Sequence, residues 1–393
     1  MSSDTVVIVA ARRTAIGAFQ GVLSAVPAPA LFAAAAGACL ADTGIPPGDI
    51  GESLVGSVLQ AGLGQAPARQ ASLAAGLPLS VPTTTINKVC GSGMKAVHLG
   101  MDLIRTGGAS VVLAGGMESM SNAPYLLPKA RAGYRMGHQE VLDHMFYDGL
   151  QNAYDGQMMG HFAEATAKRY GFSRAEQDAF AIESVQRAVA AMAAGHFRDE
   201  IAPVTVRSRA GETVVSTDEE PGRCDVQRIP SMRPAFAKDG TVTAATSSSI
   251  SDGAAAVLLM TAGEAGRRGL RPLARIVAQA SHAQEPEWFT TAPAPAVQKL
   301  LAASQWRASD VDLFEVNEAF ACVTMGAMRD LGVARDRVNV NGGACALGHP
   351  IGATGTRLLV TLIHALKQRG VRRGIATACI GGGEAIATAI ELL

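Results

Sequence analysis

The chain has 393 residues, which is enough for two or three ordinary domains. Its 34 Lys and Arg balance its 34 Asp and Glu, so no surplus of basic charge points to nucleic acid. The first ten residues, MSSDTVVIVA, lack the features of a secretory signal, and no apolar run is long enough to span a bilayer, so we expect no membrane association.

Strand-like and helix-like runs alternate along the first part of the chain. The apolar run 5–10 predicts a buried strand, and residues 31–44 predict a helix that closes at Gly44. A second strand is predicted over 52–59 and a second helix over 66–77. This alternation is typical of an α/β fold with at least partly parallel sheets.

One order of elements occurs twice in the sequence. A glycine-rich turn, a helix, a short glycine link and an apolar strand follow one another over residues 91–118, and the same order returns over 348–384. In the second copy the glycine turn is residues 348–355. The identity between the copies is low, but their order matches. We therefore predict two similar α/β halves.

The stretch between the two copies differs in character, because it contains irregular and charged segments. We predict that residues 121–245 form an inserted loop domain, and loops on a rigid scaffold often cover a binding site. The first α/β half is then formed by residues 1–120 together with 246–270. The second half is formed by residues 271–393.

Cys90 lies at the corner between an extended run and a helical pattern. A cysteine reacts as its thiolate, and the first turn of a helix places the sulfur beside unpaired N–H groups and the positive end of the helix dipole. We therefore expect the thiol pKa to be lowered, and we expect Gly91 and Gly93 to let other groups approach the sulfur. The alternative interpretation is a small buried hydrophobic residue, which most lone cysteines are.

The same stretch also permits a nucleotide-binding interpretation. Residues 91–96 read G-x-G-x-x-A between a predicted strand and a predicted helix, and Glu118 could supply the acidic residue that follows in dinucleotide sites. The match lies in the middle of a half rather than on its first strand. A dinucleotide-dependent oxidoreductase therefore stays open as an alternative at this point.

Three further residues could carry chemistry. His349 lies in a glycine-rich turn, where its near-neutral pKa would suit a general base. Cys379 ends an apolar strand just before Gly381, whose backbone N–H could face a developing oxyanion, and we expect Cys379 to be the counterpart of the Cys90 neighbourhood in the second half. Asn317 interrupts an apolar stretch, for which a helix N-cap is the alternative interpretation.

The cysteines are scattered and include no Cys-x-x-Cys pair, so we expect neither a metal site nor a disulfide framework. A reducing, cytoplasmic location fits this distribution best. Apart from Cys90 and Cys379, the cysteines have no glycine-rich setting, and we interpret them as packing residues. They are Cys39, Cys224, Cys322 and Cys345.

Several motifs occur in one order along almost the whole chain. They are RRTAIGAF, NKVCGSG, GGMESMS, NEAFA, NGGACALGHPIGATG and CIGGG. In this set the chain resembles the thiolases, the family of acetyl-CoA acetyltransferases and 3-ketoacyl-CoA thiolases. The resemblance implies a fold of two similar five-layered αβαβα halves, with a loop domain inserted in the first. It also implies assembly into a homotetramer or homodimer.

The resemblance implies a role for each candidate residue. Cys90 would attack an acyl thioester and hold the acyl group, and His349 would accept the thiol proton. Cys379 would remove a proton from the α-carbon of a second acetyl-CoA, or return it in cleavage. Asn317 would hold a water that joins His349 in one oxyanion hole. The backbone N–H groups of Cys90 and Gly381 would form the other.

The resemblance extends to coenzyme A contacts. Ser248 falls on a serine that contacts the pantetheine, and Arg223 lies near the position of an arginine that meets the adenine end. Met158 stands where short-chain members usually have a histidine, and His161 follows two residues beyond Met159. The retained Met159 would narrow the acyl pocket. The implied activity is therefore reversible condensation of two acetyl-CoA molecules, with degradative 3-ketoacyl-CoA cleavage in fatty-acid β-oxidation, over a broader range of chain lengths, as the alternative.

Coenzyme A itself carries the activated acyl group, so the implied reaction needs no metal or nicotinamide cofactor. The expected partners are acetyl-CoA, other acyl-CoA thioesters and free coenzyme A, and not nucleic acid or a membrane. A non-catalytic acyl-CoA-binding protein is the remaining class of function. The paired thiols of Cys90 and Cys379 argue against it, since a protein that only binds acyl-CoA has no need of them.

Overall fold

The computed structural model describes residues 2–208 and 211–393. Its strands are β1 (Val6–Thr14), β2 (Gly17–Ala18), β3 (Glu52–Gly56), β4 (Thr83–Ile86), β5 (Val111–Ser119), β6 (Tyr125–Leu126), β7 (Leu142–Asp143), β8 (Ile201–Ala202), β9 (Val204–Ser208), β10 (Gly211–Val215), β11 (Ser251–Thr261), β12 (Ala274–Ala283), β13 (Leu313–Val316), β14 (Arg373–Ile380) and β15 (Glu384–Leu392).

The α-helices are α1 (Ala28–Thr43), α2 (Pro67–Ala74), α3 (Ser92–Arg105), α4 (Met159–Tyr170), α5 (Arg174–Ala193), α6 (Ala262–Arg267), α7 (Pro293–Ser304), α8 (Ala321–Leu331), α9 (Ala344–Leu347) and α10 (Ile351–Arg369). A π-helix spans Met145–Leu150. Short 3-10 helices span Pro47–Asp49, Met120–Asn122, Ala130–Ala132, Val226–Ser231, Pro286–Thr291, Ala308–Asp310 and Arg335–Arg337.

The two halves of the chain build sheets with the same pairing pattern, and the two sheets are continuous where β1 pairs with β12 in antiparallel orientation. In the first half the strand order is β1-β11-β5-β3-β4, with β11 antiparallel to both neighbours and β3 parallel to both of its own. In the second half the order is β12-β15-β14-β13, with β15 antiparallel to both neighbours and β13 parallel to β14. Where the first half has β4, the second has a single parallel bridge between Phe314 and Val338.

The helices form layers on both sides of the sheets. Helices α1 and α2 cover the outer face of the first sheet, and α7 covers the outer face of the second, with α8 packed against α7. Helices α3 and α10 pack against each other between the sheets, and every residue of α10 from Ile351 to Leu366 is buried. The prediction of two similar α/β halves and of αβαβα layering is confirmed.

Glycines allow the two central helices to approach each other closely. A Cβ on Gly93 would lie 2.7 Å from Oγ1 of Thr356 and 3.0 Å from the carbonyl oxygen of Gly352. The predicted glycine turn 348–355 is therefore partly wrong, because α10 already begins at Ile351 and its glycines lie inside the helix. Their lack of a side chain serves helix packing rather than turn formation.

The predicted local elements of the first half are present with shifted ends. Strand β1 extends to Thr14, beyond the predicted 5–10, and α1 ends with Gly44 in the left-handed region at a φ of 64°. Strand β3 stops at Gly56, before the predicted end at residue 59. Such shifts are typical for sequence-based boundaries, because end residues are set by packing and capping.

The segment between β5 and β11 contains helices α4 and α5, two small hairpins and the π-helix. It is tied to the first half through β8, which pairs with β1, and through the fully buried Arg13. The Arg13 guanidinium contacts Glu200 at 2.5 Å and Asp218 at 2.7 Å. The limits 121–245 of an inserted domain stay a prediction. No helix within residues 2–208 and 211–393 has the length and hydropathy of a membrane span.

Candidate active site

A cavity of about 240 Å³ lies between the two halves and the segment that carries α4. Its wall combines residues that are hundreds of positions apart in sequence. Most of the lining is apolar, so few charged groups and little water surround its few polar side chains. The predicted residues in the wall are Cys90, Met159, Ser248, His349, Cys379 and Gly381, together with Met158.

The two central helices place Cys90 and His349 at corresponding positions. Cys90 stands two residues before Ser92, the first residue of α3, and His349 stands two residues before Ile351, the first residue of α10. Because α3 and α10 pack against each other, both helix starts open into the same cavity. The duplicated frame therefore brings a thiol and an imidazole together.

The strands that follow these helices carry a second corresponding pair. Gly116 on β5 pairs with the last residue of β3, and Thr377 on β14 pairs with the last residue of β13. Two residues further along lie Glu118 and Cys379, which therefore occupy equivalent positions. The expectation that Cys379 is the counterpart of the Cys90 neighbourhood is wrong, because that neighbourhood corresponds to the turn before α10.

The Cys90 thiol has a pKa raised to about 11, which corrects the expected lowering. Burial in apolar surroundings is the largest cause, and the charge of Glu118 adds to it. The backbone groups of Gly381 and of Cys90 itself act in the opposite direction. These two backbone groups do not offset the loss of water, and the resting sulfur is a neutral thiol at pH 7.

The glycines beside Cys90 also have a different role from the expected one. A Cβ on Gly91 would lie 2.5 Å from Cδ1 of Ile380, and Gly93 faces α10. These glycines thus allow α3 to pack against β14 and α10. They do not open space next to the sulfur.

His349 is held in one tautomer by a neighbouring hydroxyl. Its Nδ1 lies 2.6 Å from Oγ1 of Thr354, and that hydroxyl donates to the carbonyl oxygen of Pro350 at 2.9 Å. Since the Thr354 hydroxyl hydrogen is used in the bond to Pro350, Nδ1 carries the ring proton and donates a hydrogen bond to Oγ1 of Thr354. The Nε2 atom then carries the lone pair, which accepts a long hydrogen bond from Nδ2 of Asn317 at 3.4 Å. Burial lowers the His349 pKa to about 3, with a contribution from the charge of Arg357, so the ring is a neutral base.

Asn317 is completely buried beside the histidine. Its Nδ2 lies 3.4 Å from Nε2 of His349, and its backbone N–H donates to Thr377 at 2.9 Å. Its Oδ1 has no hydrogen-bond partner among residues 2–208 and 211–393, which is unusual for a buried amide. The alternative of a helix N-cap is excluded, because α8 begins at Ala321 with Phe320 in the cap position.

Cys379 lies near the end of β14, where it pairs with Ala385 of β15, and its side chain is almost fully buried. Burial raises its thiol pKa well above the ordinary value, and the nearby sulfurs of Cys90 and Cys322 raise it further. Both cavity thiols are therefore protonated at rest. A thiolate formed transiently at Cys379 would be a strong base.

The predicted coenzyme A contacts are only partly brought together. Ser248 lies in the cavity wall and donates its backbone N–H to Ala319 at 2.9 Å. Arg223 is not part of the wall; its side chain is 58% exposed and pairs with Glu219 at 3.0 Å. His161 is also exposed, with its ring edge-on to Phe236, so its imidazole does not replace the one missing at Met158.

Glu118 does not serve as a ribose-binding acid, because its carboxylate is fully buried and occupied. It accepts backbone N–H groups from Val58 at 3.0 Å, Leu59 at 3.2 Å and Gly352 at 3.0 Å. Burial raises its pKa to about 7, against the opposing effect of these donors. With Gly91 packed on Ile380, the dinucleotide interpretation of this turn fails.

Comparison with known proteins agrees with the duplicated frame. The family model described as "Thiolase, N-terminal domain" matches residues 6–263, and "Thiolase, C-terminal domain" matches residues 270–392. The chain belongs to the thiolase family. This thiolase is 51% identical over 388 residues to a protein of Chromobacterium violaceum named "Acetyl-CoA acetyltransferase", covering 98% of this chain and 99% of the relative.

Two other similar proteins have the same name. A Pseudomonas aeruginosa protein, also named "Acetyl-CoA acetyltransferase", is 52% identical and covers 97% of this chain and 98% of its own. The crystal structure of the Bacillus anthracis acetyl-CoA acetyltransferase superposes with a TM-score of 0.97 at 40% identity, covering 99% of each chain. The expected family and fold are confirmed.

The apolar wall is the part of the site that sequence reasoning missed. These side chains come from at least five separate segments and carry no local motif, so only the tertiary fold assembles them. In the described part of the chain all six cysteines are free, and no group of three or more His, Cys, Asp or Glu could hold a metal ion. The missed wall residues include Phe146, Leu150, Phe236, Phe289, Phe320 and Ile351.

Proposed function

We propose that this thiolase is an acetyl-CoA acetyltransferase, which condenses two acetyl-CoA molecules reversibly to acetoacetyl-CoA and coenzyme A through an acetyl group on Cys90. The observation that carries the proposal is the shared cavity of two thiols and one neutral imidazole. A Claisen condensation needs an acyl carrier, a base for a weakly acidic C–H and stabilisation of oxyanions. The names of the relatives support the same activity.

In the first step Cys90 becomes acetylated. Nε2 of His349 takes the thiol proton while the sulfur attacks the thioester carbonyl; because the thiol pKa is raised to about 11, the proton leaves only as the new bond forms. The bond from the carbonyl to the coenzyme A sulfur breaks, and Cys379 gives its proton to the departing sulfur. The backbone N–H groups of Cys90 and Gly381 hold the oxygen of the acyl group.

In the second step the Cys379 thiolate takes a proton from the α-carbon of the second acetyl-CoA. The enolate carbon attacks the acetyl carbonyl, the bond to the Cys90 sulfur breaks, and His349 returns its proton to that sulfur. Asn317 supports the enolate oxygen by holding a water beside His349, for which its unpaired Oδ1 and nearby Nδ2 supply the polar atoms. Every proton taken in the cycle is thereby returned.

The cavity wall supports coenzyme A thioesters as substrates. Ser248 supplies a polar contact for the pantetheine, and Met159 narrows the acyl end next to Gly381, where a Cβ would lie 3.5 Å from its sulfur. We keep Arg223 as the proposed contact of the adenine end, because its exposed guanidinium suits a solvent-facing phosphate or base.

Cleavage of longer 3-ketoacyl-CoA is the second candidate. Met158 adds flexible apolar surface to the wall, and a Staphylococcus aureus relative at 47% identity, covering 98% of each chain, is named "Probable acetyl-CoA acyltransferase". Thiolysis rates for acetoacetyl-CoA and a long-chain 3-ketoacyl-CoA separate the two. Faster cleavage of the long-chain substrate would refute the acetyltransferase assignment.

Radiolabelled acetyl-CoA tests the roles of the two thiols. We expect Cys90→Ala to retain no protein-bound label after denaturation. Cys379→Ala should still take up label but form no acetoacetyl-CoA. The matched control is Cys224→Ala, which removes a partly buried free thiol outside the cavity and should behave as wild type. Label on the Cys90→Ala variant, or equal loss of both steps in Cys379→Ala, would contradict the roles.

We further propose that the enzyme works without a metal or nicotinamide cofactor, since each bond change above is served by this chain and coenzyme A. Retention of activity after exhaustive treatment with EDTA tests the absence of a metal.

Homotetramer or homodimer assembly is supported by apolar side chains exposed between residues 125 and 154. Light scattering would test the oligomeric state. We also propose a cytoplasmic location, which is supported by the need to keep the two cavity thiols reduced. The exposed side chains include Tyr125, Leu127, Met136 and Tyr154.

A further inference from the structure

The turn before the nucleophile has an unusual backbone. Val89, the residue immediately before Cys90, has a φ of 45°, in the left-handed region. A β-branched residue rarely adopts this conformation, because its Cβ substituents approach the backbone. Such a conformation persists only where the surrounding structure holds it in place, and it is concentrated at functional positions.

Ser92 supplies the contacts that hold this turn. Its Oγ accepts the backbone N–H of Lys88 at 2.8 Å and donates to the carbonyl oxygen of Val89 at 2.6 Å. The backbone N–H of Ser92 donates to the same carbonyl at 3.0 Å. The Ser92 side chain is fully buried and is not part of the cavity wall. Its hydroxyl therefore serves the preceding turn and does not touch substrate.

These bonds act on one particular peptide group. The carbonyl of Val89 and the N–H of Cys90 belong to the same planar peptide, in which they point in opposite directions. Fixing the carbonyl on the Ser92 side therefore fixes the N–H on the other side. A carbonyl that accepts two hydrogen bonds also polarises its peptide, which makes the N–H a stronger donor.

We propose that Ser92 is a positioning residue that aims and strengthens the Cys90 N–H as a donor to the acyl oxygen. This inference rests on the proposed function, because it needs an acyl group on Cys90. Asn87 assists from the other side of the strained residue, where its Oδ1 accepts the N–H of Val89 at 2.9 Å. The two side chains together hold both peptide groups of Val89.

Two reactions of the same sulfur distinguish positioning from a general structural role. Acetyl transfer from acetyl-CoA develops an oxyanion, whereas alkylation by iodoacetamide does not. For Ser92→Ala we expect single-turnover acetylation to fall about tenfold to a hundredfold, while alkylation stays within about twofold of wild type. The KM for acetyl-CoA should change little, because Ser92 does not contact it.

The matched control is Ser72→Ala on α2. It removes a buried hydroxyl that donates to the hydroxyl of Ser53 at 2.9 Å. It should leave both reactions unchanged. Unchanged acetylation in Ser92→Ala would overturn the proposal. Equal loss of acetylation and alkylation would also overturn it, because the turn would then only support the sulfur.

A second variant covers the case in which Ser92→Ala does not fold. Asn87 is exposed, so Asn87→Ala should fold, and we expect a smaller loss of acetylation with alkylation retained. Loss of both reactions, or of neither, in that variant would then decide against the proposal. If wild type itself acquires no acetyl label, the proposed function fails. If wild type is labelled and the variants match it, only the present inference fails.

Discussion

The position before the central helix holds Cys90 in the first half of the chain and His349 in the second. On the following strand the corresponding residues are Glu118 and Cys379. The first half thus provides a thiol and a carboxylate bound to backbone, and the second provides an imidazole and a second thiol. The duplicated fold therefore brings these positions to one cavity, while differences between the side chains at equivalent positions determine which reactive groups lie there.

The two helix starts are also fixed by different means. The thiol is positioned by its backbone, through the left-handed Val89 and the hydroxyl of Ser92. The imidazole is positioned by its side chain, through Thr354. A thiol S–H is only a weak hydrogen-bond donor, whereas a ring N–H is a strong one that a neighbouring hydroxyl can hold in place. The same position in the fold therefore needs a strained turn in one half and a hydrogen-bond partner in the other.

Of the changes that distinguish the two helix starts, removal of the imidazole should have the largest effect on the acetylation rate. We expect His349→Ala to lower single-turnover acetylation of Cys90 by about a hundredfold to ten-thousandfold, since a neutral thiol then has no base. Rapid-quench labelling with acetyl-CoA measures it. Thr354→Ser, which keeps the hydroxyl that fixes Nδ1, is the control and should retain most activity. Acetylation of His349→Ala within tenfold of wild type would remove the base role.

The contact between the two halves can be broken at a glycine. Gly93→Ala would push a methyl group against the backbone of α10, and we expect the free energy of unfolding to fall by about 3 kcal/mol. Gly37→Ala in α1 is the control, because nothing lies within 4 Å of its added Cβ; it should stabilise the protein by about 0.5 kcal/mol. Urea unfolding measures both. Similar stability of the two variants would contradict the close packing of α3 and α10.

The counterpart of Cys379 can be tested by changing charge at constant shape. In Glu118→Gln an amide nitrogen faces one of the three backbone donors, so we expect a loss of about 2 kcal/mol in the free energy of unfolding. Glu52→Gln is the control, because within residues 2–208 and 211–393 this partly exposed carboxylate accepts a hydrogen bond only from Thr84, and it should cost less than about 0.5 kcal/mol. Equal losses would show that the bonds of Glu118 add no specific stability.

The sequence predicted the frame well because motif order and periodicity are local signals. The repeated order of turn, helix and strand indicated two halves, and Cys90, His349 and Cys379 do line one cavity. Their chemical roles stay predictions. The direction of the Cys90 pKa shift was wrong, because desolvation depends on what the fold packs around the sulfur. The start of α10 was missed for a similar reason, since the glycines in its first turns are needed for close packing against a partner helix and not for a turn.

The smallest expected effect concerns pH. Burial lowers the His349 pKa to about 3, so the ring stays neutral as the pH falls from 7.5 to 5.5 and remains able to accept the Cys90 proton. A histidine with its ordinary pKa would be about nine-tenths protonated at pH 5.5, which would slow acetylation about tenfold. We instead expect single-turnover acetylation to change by less than about twofold over this range.

The carboxyl of Glu118 titrates in the same window, since its pKa is raised to about 7, and the sign of its effect is opposite. Its negative charge raises the Cys90 pKa, so its protonation at lower pH makes the thiol easier to ionise and does not slow the reaction. A tenfold fall with a midpoint near pH 6.5, in protein that remains folded by circular dichroism, can therefore be assigned to His349. That outcome would mean that the imidazole is solvated, contrary to its burial beside Thr354 and Asn317 at the cavity between the two halves.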